Sequence, residues 1–278
     1  MPKNNRKRKR FERVMLILTV TAAFCTLAVL LYLIAFVVIK GLPYLKPSLF
    51  AWKYNSDNVS LLPALISTLF MMLLSLLIAL PIGLFGAIYL TEYAKLHKFA
   101  ALVTIMAETL SGIPSILYGL FGMLCFVSYM GLGYSLLSGA ITLSMMILPL
   151  ILRSSQEALK TVPDIWKEGA YGLGAGKIRT LFRIVLPAAA PGIFAGVILA
   201  IGRVVGETAA LIYTAGTVAQ IPATPLHSAR TLAVHMYALS GEGLHMGEGY
   251  ATAIVLLVFV VGINTLFAHV AKRIGGVK

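Results

Sequence analysis

From Val14 to Ile39 the chain carries no Asp, Glu, Lys or Arg. A helix needs about 20 consecutive apolar residues to cross the hydrocarbon core of a bilayer, and this run is long enough. A secretory signal has a shorter apolar region, about 7–15 residues, followed by a small-residue cleavage site. No such site follows here, so a retained first transmembrane helix is expected. Five more apolar stretches follow, near Leu62–Leu90, Ala101–Ser128, Ser135–Leu152, Pro191–Gly216 and Gly249–Val270. The chain is 59% hydrophobic and 12% charged, with mean hydropathy +0.90. A soluble domain carries roughly twice that charge, about 25%. The expected fold class is an all-α integral membrane protein with six transmembrane helices, spans near 14–39, 62–90, 101–128, 135–152, 191–216 and 249–270.

A formal net charge of +13 could suit a nucleic-acid binder, but its distribution argues otherwise. Lys3, Arg6, Lys7, Arg8, Lys9, Arg10 and Arg13 form a basic tail over residues 1–13, ahead of a single transmembrane domain over 14–278. With that tail in the cytoplasm, Lys95, Lys98, Arg153, Lys160, Lys167, Lys177, Arg179, Arg183, Lys272, Arg273 and Lys278 also fall inside. Only Lys40, Lys46, Lys53 and Arg230 fall outside. Positive charge is retained on the cytoplasmic side of multi-spanning proteins, so both termini are expected there. The longest segments between spans are the cytoplasmic 153–190 and the external 217–248.

Charged residues inside a bilayer are costly, roughly 2.5–3.5 kcal/mol each on insertion scales, so their presence needs a reason. Arg203 and Glu207, four apart in the fifth span with Thr208 beside them, are expected on one helix face. They either offer a forked cation to an oxyanion or close into a salt bridge that fixes packing. Gly202, Gly206, Ala209 and Ala210 allow close helix approach in either case. Glu108, Ser111, Gly112, Pro114 and Ser115 form a second polar cluster within the third span. There the helix bends or breaks, and it either presents amides to an anion or uses hydroxyls to satisfy freed carbonyls. Pro81, Gly83 and Gly86 supply a cause for a kink in the second span. Glu92, at the inner end of that span, reads as a capping or interfacial residue.

Cys25 and Cys125 lie in apolar runs without metal or disulfide spacing, and His97, His227, His235, His245 and His269 show no ligand pattern. No metal site is expected. No hydrolase motif is present, and the glycines before Lys177 miss the phosphate-binding G-x-x-x-x-G-K-[ST] pattern at both ends. An enzyme is not expected.

The segment 153–190 is more specific. Pro163, Asp164 and Glu168 suit the start of a helix, and Gly172, Gly174 and Gly176 its end. A second helix then runs over 177–186, with Pro187 and Pro191 expected to stop it. Glu168, Gly169, Ala170, Gly174, Ile184, Leu186 and Pro187 match the EAA loop of ABC importer permeases in spacing, with Gly169 in place of an alanine. The chain resembles that family. Gly112–Gly119 and Gly202–Ala210 further resemble the phosphate-specific permeases, and Thr231–His235 those of the PstA type.

The resemblance implies a type I ABC importer permease fold in the bacterial inner membrane, with the Glu168 loop docking on an ATPase and moving with it. It implies a second, PstC-like permease, a dimeric PstB-like ATPase, an extracytoplasmic PstS-like phosphate-binding protein and membrane lipid as partners, with no nucleic acid. No cofactor is expected on this chain, since ATP and Mg would be bound by the ATPase. Arg203, Glu207, Thr208, Ser111 and Ser115 become candidate pathway residues. Two alternatives stay open: a permease for sulfate or molybdate, and a channel or secondary transporter, which would need no docking loop.

Overall fold

The computed structural model describes residues 3–94, 97–243 and 245–274. Lys95 and Lys278, counted above among the cytoplasmic cations, lie outside the described residues, as do residues 1 and 2 of the basic tail.

Every regular element described is helical. Helix α1 (Lys3–Gly41) is followed by two short 3₁₀ turns and then α2 (Leu62–Ile88), which passes through Pro81 and ends in a π-helical turn, Tyr89–Tyr93. Helices α3 (His97–Ser111) and α4 (Ser115–Gly122) follow, the latter extended by a π-turn over Met123–Tyr129. Helix α5 (Leu136–Lys160) is started by Ser135, whose hydroxyl accepts the Ser138 N–H at 3.2 Å. Then come α6 (Asp164–Gly172), α7 (Lys177–Thr180), a π-turn over Leu181–Val185, and α8 (Leu186–Gly206). Helices α9 (Ala209–Thr214), α10 (Leu232–Glu242) and α11 (Met246–Ile274) complete the chain.

Five helical runs are long and apolar enough to cross a membrane, and a sixth arises when the bent pair α3–α4 counts as one span. That pair turns by 97° at the Gly112–Pro114 break, as the glycine and proline there suggest. The core is built around α5, which packs between α2 and α8 through Met71, Leu76, Leu143, Ile147, Ile201 and Val205. Small residues set the helix spacing: the Ser144 hydroxyl donates to the Ser75 carbonyl at 3.1 Å, and Gly83 and Gly196 lie against Ile151 and Ser154. A second apolar cluster (Ala87, Ile88, Leu159, Val162, Leu181, Val185) ties the C-terminal end of α2 to α5 and the start of α8. A third (Leu49, Leu61, Ala64, Leu232, Ala251) closes the N-terminal end of α2.

Three features differ from the sequence reading. Pro187 and Pro191 do not stop a helix, because Lys177–Gly206 is one helical run. The π-turn shifts the hydrogen-bond register, with the Leu186 N–H bonding to the Leu181 carbonyl, so that the amide missing at Pro187 falls in its first turn. The fifth apolar stretch is not one helix: α8 ends at Gly206 and α9 begins at Ala209. The segment 217–248 is not an open loop, since α10 lies within it with Val234, His235 and Leu239 buried.

Candidate translocation and coupling sites

Arg203 sits half-buried in the last turn of α8. Glu207 is not its neighbour on a helix face, because Glu207 already has extended backbone (φ −74°, ψ 128°) beyond the helix end. Its buried carboxylate turns forward and accepts the Ala210 N–H at 3.2 Å, which satisfies one of the unpaired amides at the start of α9. Thr208 is half-buried between the two helices. Among the described residues neither Arg203 nor Glu207 takes part in an ion pair, so the salt bridge weighed from the sequence is not formed.

The second broken span meets this one. A Cβ on Gly119 would lie 2.8 Å from the Ala210 Cα, so α4 packs backbone to backbone on α9. The two segments singled out in sequence, Gly112–Gly119 and Gly202–Ala210, are thus brought together just after the point where each helix breaks. At the first break the Gly112 and Ile113 amides bond to the Thr109 and Leu110 carbonyls at 3.2 and 3.1 Å. The exposed Ser111 hydroxyl donates to the Glu108 carbonyl at 2.8 Å. Half-buried Ser115 opens α4. These bonds fit the kink reading, in which hydroxyls satisfy carbonyls freed by the bend. Sequence reasoning missed Tyr118, whose buried hydroxyl donates to the Leu110 carbonyl at 2.8 Å across the break. It also missed the partner of Glu108, which is Arg153 of α5 at 3.2 Å. Arg153 further pairs with Glu157 at 3.0 Å, and its place at the end of an apolar run was the one available signal.

At the end of α2 the segment that matches the EAA pattern forms a hairpin. Pro163 is extended and α6 begins at Asp164, whose carboxylate suits the helix N-terminus. The helix ends in a Schellman motif: the Ala175 N–H bonds to the Ala170 carbonyl at 3.0 Å and the Gly174 N–H to the Tyr171 carbonyl at 2.9 Å, with Gly174 at φ +81°. Glu168 and Gly169 are exposed on α6, and Ala170 is buried. Ile184 and Leu186 are half-buried, and Pro187 is exposed in the first turn of α8. Around them Ile165, Trp166, Leu173 and Ile178 project into open space, Leu173 being 91% exposed. On the bundle side, Lys167 Nζ lies 2.7 Å from Glu92 Oε1 and 3.4 Å from Asp164 Oδ1. Burial pulls the Lys167 pKa down, yet its bonds to Glu92 and Asp164 outweigh this and hold it above the ordinary lysine value. Among the described residues no group of three or more His, Cys, Asp or Glu gathers to hold a metal.

Residues 79–276 match the family of binding-protein-dependent transport system inner membrane components. The chain belongs to this family. A phosphate transport system permease protein PstA from Pasteurella multocida is 31% identical over 276 residues, covering 95% of each chain. A PstA from Haemophilus influenzae is 33% identical over 75% of this chain and 74% of its own length. The probable ABC transporter permease protein YqgI of Bacillus subtilis is 31% identical over 84% of this chain and 86% of its own. The fold is that of ABC importer permeases: a chain of a bacterial alginate ABC transporter superposes with TM-score 0.62 over 93% of this chain and 97% of its own at 17% identity. A chain of the MetNI methionine transporter in an inward-facing conformation gives 0.59 over 77% and 94% at 18% identity.

Proposed function

We propose that this chain is one of two membrane permease subunits of an ATP-driven phosphate importer and forms half of its translocation pathway. The observation that carries the reading is the α6–α7 hairpin. Its tip presents Ile165, Trp166, Leu173 and Ile178 to solvent around a matched EAA pattern, an apolar knob with no place for itself in the bundle. A partner ATPase groove is its natural occupant, and a channel or secondary transporter has no use for such a knob. The phosphate transport relatives, one of them covering 95% of the chain, support the substrate.

In this reading the ATPase dimer binds ATP and Mg, and this chain holds no cofactor and catalyses no bond cleavage. ATPase closure moves the hairpin, the bundle opens outward, and a docked phosphate-binding protein releases its anion. Hydrolysis returns the bundle to the inward-open state. Arg203 is the contact for the phosphate oxyanion, Glu207 and Thr208 shape the break at which it sits, and Ser111 and Ser115 line the facing break. Both termini lie in the cytoplasm. The partners are a second permease, the ATPase and the extracytoplasmic binding protein.

The test is uptake of labelled phosphate in cells lacking the chain and supplied with wild type, Arg203→Gln, or a deletion of residues 168–174. Wild type restores uptake that excess sulfate leaves unchanged, and the deletion abolishes it. Arg203→Gln lowers uptake at least about tenfold at unchanged protein level, as loss of a charge-assisted contact in a low-dielectric site implies. Failure of wild type to restore phosphate uptake in the presence of its partner chains would overturn the substrate assignment.

A further inference from the structure

The coupling helix is fastened to the bundle in an unusual way. Of the nine residues of α6, Ala170 is the buried one. Beside the helix lies a cavity of about 640 Å³, lined by Thr91, Thr104, Gln156, Lys160, Asp164 and Lys167. The helix therefore does not pack tightly against the spans behind it. What crosses the gap is charge. Lys167 Nζ sits 2.7 Å from Glu92 Oε1, with 16% and 11% of the two side chains exposed. The other arm of the hairpin reaches the same turn: Lys177 Nζ donates to the Glu92 carbonyl at 2.8 Å and lies 4.4 Å from the centre of the Tyr93 ring. Two lysines, one from each arm, grip the last turn of α2. That turn is the π-helical Tyr89–Tyr93, a departure from the α-helix above it of the kind often found at functional sites.

The chain connects the hairpin covalently only to α5 and α8. A displacement of the hairpin reaches α2 through two non-covalent routes: the apolar cluster that joins Leu181 and Val185 to Ala87 and Ile88, and the lysine contacts to the Glu92 turn. We infer that the Lys167–Glu92 pair, seconded by Lys177, is the polar link that carries movement of α6 to α2 beside that apolar cluster, so that Glu92 and Lys167 are positioning residues that set how tightly ATP hydrolysis is coupled to transport. This rests on the importer reading above. A carboxylate that is nearly nine-tenths covered does not stay unpaired without cost. When ATPase closure shifts α6, the cheaper course is for the Glu92 turn to follow its cation. A surface ion pair would slip instead, because solvent replaces the partner readily.

The test uses the complete complex with its ATPase and binding protein, reconstituted in proteoliposomes, and reads phosphate imported per ATP hydrolysed. Lys167→Met and Glu92→Gln each lower that ratio at least about fivefold, within the range of coupling lost when one member of a close charged pair is removed. ATP hydrolysis itself stays within about twofold of wild type. Lys167→Arg, which keeps a cation beside Glu92 and Asp164, brings the ratio back towards wild type, and the split between import and hydrolysis is a readout that a merely structural contact would not move. If Lys167→Met does not co-purify with its partners, Glu92→Gln, which keeps the side-chain shape, carries the same measurement. A wild-type ratio in Lys167→Met and Glu92→Gln overturns the inference, as does a ratio that Lys167→Arg leaves low. Failure of the wild-type complex to import phosphate strikes the importer reading instead, so the two failures are distinct.

Discussion

At the scale of single residues, buried polar groups carry most of the constraint. His235 of α10 is fully buried, its ring edge-on to Tyr54 at 6.0 Å and its Nδ1 3.5 Å from Arg230 Nη1. Burial, and after it the charge of Arg230, pushes its pKa down to about 4, with the Val59 backbone opposing both. In the unfolded chain the imidazole titrates near 6.5, so between that pH and about 4 the unfolded state takes up a proton that the native state refuses. Stability is therefore full above about pH 6.5 and falls as the pH drops, by up to about 3 kcal/mol at the lower limit. The melting temperature of the purified protein in detergent should fall between pH 7 and 4.5, and His235→Leu should flatten that dependence. An unchanged slope in the variant would place the acid sensitivity elsewhere. The sequence offered no way to see this group, because a histidine beside an apolar stretch looks the same whether it faces water or a buried arginine.

At the scale of elements, what was legible divides by the range of the interaction. The coupling hairpin was readable because its signals are local: Asp164 at a helix start and Gly174 at φ +81° at the end. Gly174→Ala should cost roughly 1–2 kcal/mol in the left-handed position and weaken ATPase association, measurable by co-purification. Gly169→Ala should do the reverse. A Cβ there meets nothing within 4 Å, so the helix gains about 0.5–1 kcal/mol and uptake is unchanged. The break at Glu207 was not readable. Gly206 alone does not end a helix, and what the break accompanies is long-range: just beyond it α4 lies so close that a Cβ on Gly119 would meet the Ala210 Cα at 2.8 Å. Gly119→Leu should force α4 off α9 at a cost of about 1–3 kcal/mol or more, lowering both protein level and uptake. Pro187 misled because a π-turn precedes it and no residue type announces one, while Pro191 is carried inside α8.

For the whole molecule, the apolar runs and the asymmetry of lysine and arginine predict six spans and their orientation, and the structure has five such helices, or six when the bent pair α3–α4 counts as one. The arrangement of partners was not written there. Helix α1 is exposed along its apolar length, Phe24 and Ile39 each at 70%, and it meets the bundle near its end, where Phe36 packs edge-on to Tyr250 at 5.9 Å and Gly41 lies on the Tyr250 backbone. So much apolar surface requires lipid or another subunit around it. The orientation has a direct consequence. The hairpin holding Lys177, Arg179 and Arg183 lies with the C-terminal ends of α2 and α5, while Lys53 lies in the α1–α2 connection that leads to the opposite end of α2. Positive-inside retention predicts the first group in the cytoplasm and Lys53 outside. With Cys25 and Cys125 replaced, a single cysteine at Lys53 should react with a membrane-impermeant maleimide in intact cells. One at Ile178, which is 68% exposed, should react only after permeabilisation. The reverse pattern would turn the molecule over in the membrane and put the hairpin beyond reach of a cytoplasmic ATPase, removing the mechanical basis for coupling through α6 and Glu92.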